Sequence, residues 1–263
     1  SLDRLVSFGH AIIPAEDGLL ASGLSGAGRM AEPEHIMSFI VNHLREGQPL
    51  FGKQVIVTAG PTYEPIDPVR FIGNHSSGLM GYELAKRALK LGAEVILISG
   101  PTSLEIEDET IRVIRIRTAV EMNKAVLEYF QDSDIFIGAA AVADYRPAHV
   151  HDQKIKKESF ANPHIELVKN PDIIAGLAKI KKHQFILGFA LETQDVLNNG
   201  TKKLKAKNLD AIVLNSLEDP GAGFGHNTNK IQFLSKKNGL KSFPLKSKSA
   251  VATDIWAEIL KEL

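Results

Sequence analysis

Residues 54–90, QVIVTAGPTYEPIDPVRFIGNHSSGLMGYELAKRALK, restrict this chain more than any other stretch. Residues 55–58 are apolar and rich in β-branched side chains, as in a strand buried on both faces. Gly60-Pro61 ends that run, and a polar loop rich in Gly, Pro, Asn and Ser follows. A helix then opens at Ser76-Ser77-Gly78. Its apolar stripe is Leu79, Tyr82, Leu84, Ala85, Ala88 and Leu91, and Gly92 stops it. Strand, long loop and helix N-terminus, in that order, are how α/β proteins build sites for phosphate.

The alternation continues downstream. Strands are predicted over 94–99, 111–116, 134–143, 184–190 and 210–215. One helix opens at a capping box of Thr118 and Glu121 and runs to about Phe130. Another runs from Pro171 through Lys181, and a basic one covers 192–207 with Gly200 as a weak point. Residues 231–234 and 242–245 suit an antiparallel pair around Asn238-Gly239. Residues 249–263 suit a closing helix with Val251, Ile255, Trp256 and Ile259 inward. The pattern predicts a Rossmann-like, three-layer α/β fold. Its sheet is mostly parallel, with a short antiparallel hairpin near the C-terminus.

Residues 1–48 do not read as a whole domain. A strand-like piece at 6–13, a Gly-rich loop at 20–30 and a helix over 32–44 with Pro33 in its first turn cannot bury a core alone. The Gly-rich stretch reads equally as a flexible linker or as a loop that packs or binds. The expected division is 1–50 and 51–263.

Charge and cysteine usage narrow the function. Lysine plus arginine balances aspartate plus glutamate at 31 each, so there is no bulk attraction to nucleic acid or anionic membrane. With no cysteine, disulfides and thiolate nucleophiles are excluded. No window suits a bilayer span, and the start carries no secretory pattern, which together point to a cytoplasmic protein. A start at Ser-Leu-Asp without Met suggests a piece of a longer chain.

Five clusters fall at successive strand ends, where α/β ligand sites converge. In the first, Ser76, Ser77 and Gly78 can present hydroxyls and N–H groups to an anion, with Arg70 one loop upstream and Asn74 as a neutral amide for an acyl oxygen. The bland alternative is a Ser cap and an Asn turn. In the second, small residues from Gly138 lead to Asp144, placed to bind a ligand or a metal, or else to pair with Arg146. The third is Lys154 in KIKK, a phosphate-neutralising lysine or a solvated loop. The fourth is KNPD at 169–172, an anion contact or a cap made by Asn170. The fifth is Lys203 and Lys207, which share a helix face and either hold an anion or face solvent. Phe189 ends a strand and can stack on a base or belong to the core. Cations and amides around one crevice point to a nucleoside triphosphate.

The motifs VTAGPTYEPIDPVRFIGNHSSGLMG, GAAAVADYRP, KIKK, VKNPDI, GFALET and KKLKAKNLDAIVLN, in order from Lys53 to Leu263, resemble the phosphopantothenate–cysteine ligase family. That ligase is one half of a bifunctional bacterial coenzyme A biosynthesis protein. LASGLSGAGRMAEPEHI resembles the tail of its partner half, the FMN-dependent phosphopantothenoylcysteine decarboxylase. The resemblance implies a ligation in two steps. The carboxylate of 4′-phosphopantothenate attacks the α-phosphate of CTP, giving an acyl-cytidylate and pyrophosphate, and the amine of L-cysteine then displaces CMP. It implies that Asn74 supports the acyl intermediate and that Lys154 is the catalytic lysine. It assigns Gly138, Ala139, Ala140, Asp144, Pro171, Asp172, Ile173, Ile174, Phe189, Lys203 and Lys207 to the nucleotide site, and Arg70, Ser76 and Ser77 are placed on phosphates. It further implies Mg2+ with the triphosphate, a homodimer, and a long polar loop at 149–162 that carries Lys154 to a neighbour's site. Decarboxylation is not expected of a piece without the flavin-binding start. One departure is Ser216 after Asn215, where relatives often have Asn-Asp.

Two other readings compete. A NAD(P)-dependent Rossmann oxidoreductase would carry G-x-G-x-x-G after the first strand and an acid ending the second. Here those strands end TAGPTYEP and LISGP. A non-catalytic nucleotide-binding dimerisation module would be expected to lack Asn74 or Lys154.

Overall fold

A computed structural model describes residues 1–19, 23–156, 164–192, 195–216 and 226–263. It divides into two compact units, Ser1–Pro49 and Leu50–Leu263. No helix among the described residues is long and apolar enough to cross a membrane.

The first unit contains α1 (Leu2–Ser7), β1 (Glu16–Leu19), β2 (Ser25–Arg29) and α2 (Pro33–Arg45). The strand expected over 6–13 is not formed. Leu2, Leu5 and Val6 have helical spacing and Asp3 favours a first helical turn, so the chain starts as α1. The Gly-rich stretch is partly a strand, since β2 pairs antiparallel with β1; residues 20–22 lie outside the described residues. α2 begins with Pro33 as expected but buries none of its residues, so the apolar Met37 and Leu44 remain exposed.

The second unit runs β3 (Gln54–Ala59), β4 (Tyr63–Pro65), β5 (Phe71–Gly73), α3 (Leu79–Lys90), β6 (Glu94–Ser99), β7 (Arg112–Arg115) and α4 (Ala119–Phe130). It continues with β8 (Ile135–Gly138), β9 (Tyr145–Pro147), β10 (Leu167–Lys169), α5 (Ile173–Ile180), β11 (Phe185–Glu192) and α6 (Val196–Ala206). β12 (Ala211–Ser216), β13 (Thr228–Ser235), β14 (Gly239–Ser247) and α7 (Lys248–Glu262) complete it. Eight strands form one sheet in the order β14-β13-β12-β11-β8-β3-β6-β7. β12 through β7 are parallel neighbours, and β13 and β14 are antiparallel additions. The predicted α/β class, with a mostly parallel sheet and a C-terminal hairpin, is the fold observed. The hairpin is longer than the sequence suggests, and it turns through Gly239 at φ 74°.

Alternating strand residues feed two apolar layers. Val55, Val57 and Leu97 pack with Leu84 of α3 and Trp256 of α7. Ile56, Ile98 and Phe136 pack with Phe130 of α4, Leu177 of α5 and Leu204 of α6. The buried Trp256 Nε1–H donates to the Leu84 carbonyl at 2.9 Å, which joins α7 to α3. Gly200 is not a weak point of α6. A Cβ there would lie 2.5 Å from Leu214 side-chain carbons, so glycine lets α6 approach β12.

The chain leaves β3 for β6 on one side and returns to β8 on the other. This reversal opens a crevice beyond the strands' C-terminal ends. The strand expected over 134–143 stops at Gly138 for the same reason. Beyond it, the Ala140 N–H donates to Thr58 Oγ1 at 3.3 Å, Ala141 to the Gly60 carbonyl at 2.9 Å and Ala143 to Thr62 Oγ1 at 3.0 Å. The small residues thus leave the sheet to line the loop after β3. The capping box at Thr118 and Glu121 forms as predicted. At α5, however, the cap is Asp172, whose carboxylate accepts from the Ala175 N–H at 3.0 Å. Asn170 instead donates to the Ala143 carbonyl at 2.8 Å. The departure after Asn215 lies at the edge of the described residues, and 217–219 lie outside them.

Candidate functional site

The crevice has a volume of about 450 Å³. One wall is residues 73–81, the end of β5 and the start of α3. The facing wall is Ala139, Ala140, Ala141 and Val142, with Phe189, Leu191, Asn215, Asn229 and Lys248 completing it. Gly78, at φ 79°, is the N-cap of α3 and packs against Gly60, at φ 74°; a Cβ on Gly78 would lie 3.2 Å from the Gly60 nitrogen. Two left-handed glycines in contact bring the helix start against the end of β3. Gly81 continues that contact, because a Cβ there would meet the Ala59 Cβ at 2.6 Å.

The polar groups are local. The Gly78 N–H donates to Ser76 Oγ at 3.2 Å and the Leu79 N–H to Ser77 Oγ at 3.4 Å. Thr102 Oγ1 donates to the Ser77 carbonyl at 2.8 Å and holds the turn. Met80 and Gly81 then fall at positions where a helix offers N–H groups without intrahelical acceptors. Asn74 is exposed, and its Nδ2 donates to the Val142 carbonyl at 3.0 Å, bridging the two walls. The arrangement suits an anion at the helix start and a carbonyl beside Asn74.

Of the residues singled out from the sequence, the crevice gathers Asn74, Ser76, Ser77, Ala139, Ala140 and Phe189. Gly138 lies one residue below, where its missing Cβ leaves room for Ile174. Ile173 and Leu177 anchor α5 in the core, and Pro171 precedes the Asp172 cap.

The charged candidates lie elsewhere. Arg70 forms an ion pair with Asp67 and donates to the Ile155 carbonyl at 3.2 Å. The Ile155 N–H donates to Asp67 at 3.2 Å, so both main-chain groups beside Lys154 are clamped. The Arg70 guanidinium holds the Asp67 carboxyl well below the usual carboxylate range, helped, against burial, by the N–H groups of Val69, Ile155 and Arg70. Arg70 lines a second cavity of about 380 Å³ with His149, His151, His164 and Glu166. Lys154 is exposed and lines neither cavity. Residues 157–162 of the expected long loop lie outside the described residues. Asp144 is exposed; its carbonyl accepts from the Asn170 N–H at 2.9 Å, and Arg146 donates to Lys169 and Asn170. Lys207 pairs with Asp172 at 2.8 Å, while Lys203 lies one turn earlier on α6. Among the described residues no group of three or more His, Asp or Glu gathers to hold a metal.

The sequence reading missed His75, Leu191, Asn229 and Lys248. Asn229 and Lys248 carry no local signal. They reach the crevice because β13 and β14 fold back along β12.

Comparison with known proteins adds the following. Residues 50–263 match the family model described as the DNA/pantothenate metabolism flavoprotein C-terminal domain. The chain is 51% identical over 265 residues to a cysteine/cysteine sulfinic acid decarboxylase of an unknown prokaryotic organism, covering 99% of this chain and 74% of that protein. It is 46% identical over 261 residues to the coenzyme A biosynthesis bifunctional protein CoaBC of Bacillus subtilis strain 168, covering 98% of this chain and 64% of that protein. The chain thus spans just under two thirds of that relative's length. Among solved structures, the C-terminal domain of a CoaBC protein superposes with a TM-score of 0.69 at 39% identity, covering 81% of this chain and 97% of that one.

Proposed function

The chain belongs to the DNA/pantothenate metabolism flavoprotein C-terminal domain family, and from that premise we propose that residues 50–263 join 4′-phosphopantothenate to L-cysteine in coenzyme A biosynthesis, with CTP as the activating nucleotide. The observation that carries this reading is the crevice at the reversal of strand order. It puts the α3 N-terminus, the Asn74 amide, the small residues after β8 and Phe189 on one cavity. The naming of the 46%-identical relative supports the pathway.

The chain's own groups suit the two steps. The first forms a bond from the substrate carboxylate to the α-phosphorus and breaks the bond to pyrophosphate. Main-chain N–H groups at α3 would receive phosphate oxygens without moving, because Gly60, Gly78 and Gly81 fix the turn. The Asn74 amide would hold the acyl oxygen while the cysteine amine attacks that carbon, CMP leaves with the bonding electrons, and the amine proton passes to solvent. Phe189 would stack on the cytosine. Asp144, Asp172, Lys203 and Lys207 in this reading surround the nucleotide. Mg2+ held by the triphosphate oxygens would supply charge neutralisation there.

Lys154 lies on its segment away from the crevice of its own chain. In the proposed homodimer it serves the neighbour's crevice. Residues 1–49 are read as the tail of the flavin-dependent decarboxylase half.

The test is a pyrophosphate-release assay with the 263-residue chain. Release should require CTP and phosphopantothenate but not cysteine, and amide formation should require all three. Pyrophosphate released from CTP alone, or no release with both substrates, would sink the reading.

A further inference from the structure

Thr62 is 0% exposed and does not line the crevice, yet it touches both crevice walls. Toward one wall, its Oγ1 accepts from the Ala143 N–H at 3.0 Å, and its own N–H donates to the Ala141 carbonyl at 3.4 Å. The Ala143 carbonyl accepts from Asn170 Nδ2 at 2.8 Å, so residue 143 is held through both its main-chain groups. Toward the other wall, Gly73 pairs with Tyr63 between β5 and β4, and a Cβ on Gly73 would lie 2.9 Å from the Thr62 carbonyl oxygen. Val142 lies between Ala141 and Ala143, and Asn74 follows Gly73. The 3.0 Å hydrogen bond from Asn74 Nδ2 to the Val142 carbonyl therefore joins the immediate neighbours of residues that Thr62 fixes.

We infer that Thr62 is a positioning residue for Asn74: its hydroxyl fixes the Val142 carbonyl, and that carbonyl orients the Asn74 amide in the crevice. The inference rests on the ligase reading above and adds to it a residue that touches no substrate. The side-chain amide of an exposed asparagine otherwise turns over a broad range of χ2. With one N–H tied to Val142, the second N–H can donate to the acyl oxygen without reorienting. Removing the Thr62 hydroxyl leaves the buried Ala143 N–H without its acceptor, and Val142 shifts as the wall relaxes. Ala140 and Ala141 keep their acceptors, Thr58 Oγ1 and the Gly60 carbonyl, so the nucleotide part of the wall stays in place. A small misplacement of an orienting group slows the step which that group serves. The loss therefore falls on amide formation, where Asn74 acts, and spares the release of pyrophosphate.

The test compares the parent chain with Thr62→Val, Thr62→Ser, Asn74→Ala and the double variant of Thr62→Val with Asn74→Ala. In Thr62→Val, pyrophosphate release from CTP and phosphopantothenate should change less than about twofold, and amide formation on adding cysteine should slow about tenfold or more. Thr62→Ser restores the acceptor and should restore most of that rate. In the Asn74→Ala background, Thr62→Val should slow the amide step no further, because the group it positions is gone. Nuclear magnetic resonance gives a readout free of catalysis. The side-chain amide signal that Asn74→Ala removes should shift in Thr62→Val and stay in place in Thr62→Ser. Thr62→Ala replaces the valine variant if valine disturbs the fold. Both steps slowed alike, no slowing, an additive effect in the double variant or an unmoved Asn74 signal overturns the inference and leaves the ligase reading standing. If the parent releases no pyrophosphate, the ligase reading falls instead, and the Asn74 signal alone decides the positioning.

Discussion

The crevice and the cations around it are built in opposite ways. The crevice is made largely of main chain and packed residues: left-handed glycines in contact, N–H groups bonded to Thr58 and Thr62, and Lys248, a residue 7% exposed. Its shape is therefore set by the packing of the sheet. Arg70 and Lys207 are instead held by ion pairs to Asp67 and Asp172, and the exposed Lys154 sits on a segment held at Ile155 and by the His151 N–H on the Ile66 carbonyl. The half-exposed Lys207–Asp172 pair is weak and reversible, whereas the buried Asp67 carboxylate holds Arg70 through two guanidinium nitrogens. The difference implies division of labour. In the proposed reading the crevice would bind without rearrangement, while Lys207 would exchange Asp172 for a ligand's oxygens and Lys154 would reach another copy of the chain.

The largest expected effect breaks the two regions apart. Asn74→Asp in the crevice and Lys154→Gln on the segment should each lower amide formation by about 100-fold or more, with far-ultraviolet circular dichroism unchanged. Mixed and re-equilibrated, the two inactive variants should recover part of the parent activity, because a mixed pair holds one intact crevice faced by one intact Lys154. A mixture as inactive as its components would place Lys154 on its own chain's crevice or outside the reaction.

The next effect tests how rigid the crevice is. Gly81→Ala would put a Cβ 2.6 Å from the Ala59 Cβ and 3.0 Å from the Thr58 carbonyl, neighbours that belong to β3 and cannot turn away. It should cost about 1–3 kcal/mol in urea unfolding and weaken nucleotide binding as α3 lifts. Gly138→Ala would meet the flexible end of Ile174 at 2.8 Å, so its cost should be smaller. Equal costs would show that the α3 start can yield, against the rigidity argued here.

The same contrast explains what the sequence makes legible. Elements with local signals are readable: the capping box at Thr118 and Glu121, the Asn238-Gly239 turn and the strand at 94–99 all form as expected. Residues 6–13 are misread because Val6, Ile12 and Ile13 suit a strand, while the helical spacing starts at Leu2. Residues 139–143 are misread because apolar, small side chains do not reveal that their N–H groups go to the β3 loop. At the site, Asn74 and Ser76 stand in a recognisable motif. Lys248 follows an ordinary strand and opens an ordinary helix, and only the return of β13 and β14 along β12 makes it part of the crevice.

A third effect, local rather than global, concerns the clamp. Asp67→Asn removes the charge that holds Arg70 and weakens the acceptor for the Ile155 N–H. Amide exchange at Ile155 should quicken about tenfold, with little change across β3 or β8. The Asp67 carboxyl is held well below its usual range, so it stays ionised as pH falls through the ordinary carboxylate values. Exchange at Ile155 in the parent should therefore show no clamp-related change between about pH 5 and pH 8. Protection lost throughout β3 would mean that the clamp belongs to the core and not to the segment.

The smallest effect is expected at Asp172, which is 49% exposed at its side chain and caps α5 while pairing with Lys207. Burial raises its pKa, but Lys207 and the Ala175 N–H outweigh burial and leave the carboxyl below its ordinary value of 3.8. A lowered carboxylate pKa stabilises the folded chain above that ordinary value, and the contribution disappears as pH falls through the folded one. Asp172→Asn keeps an oxygen for the α5 cap and loses the pairing, so solvent screening limits the cost to about 0.5 kcal/mol at neutral pH. The unfolding curves of parent and variant should converge as pH drops below 3.8. If Lys207 is among the cations that exchange an acid for a ligand, freeing it should leave CTP affinity equal to the parent's or higher. A fall in CTP affinity in Asp172→Asn would assign the nucleotide contact to the carboxylate itself.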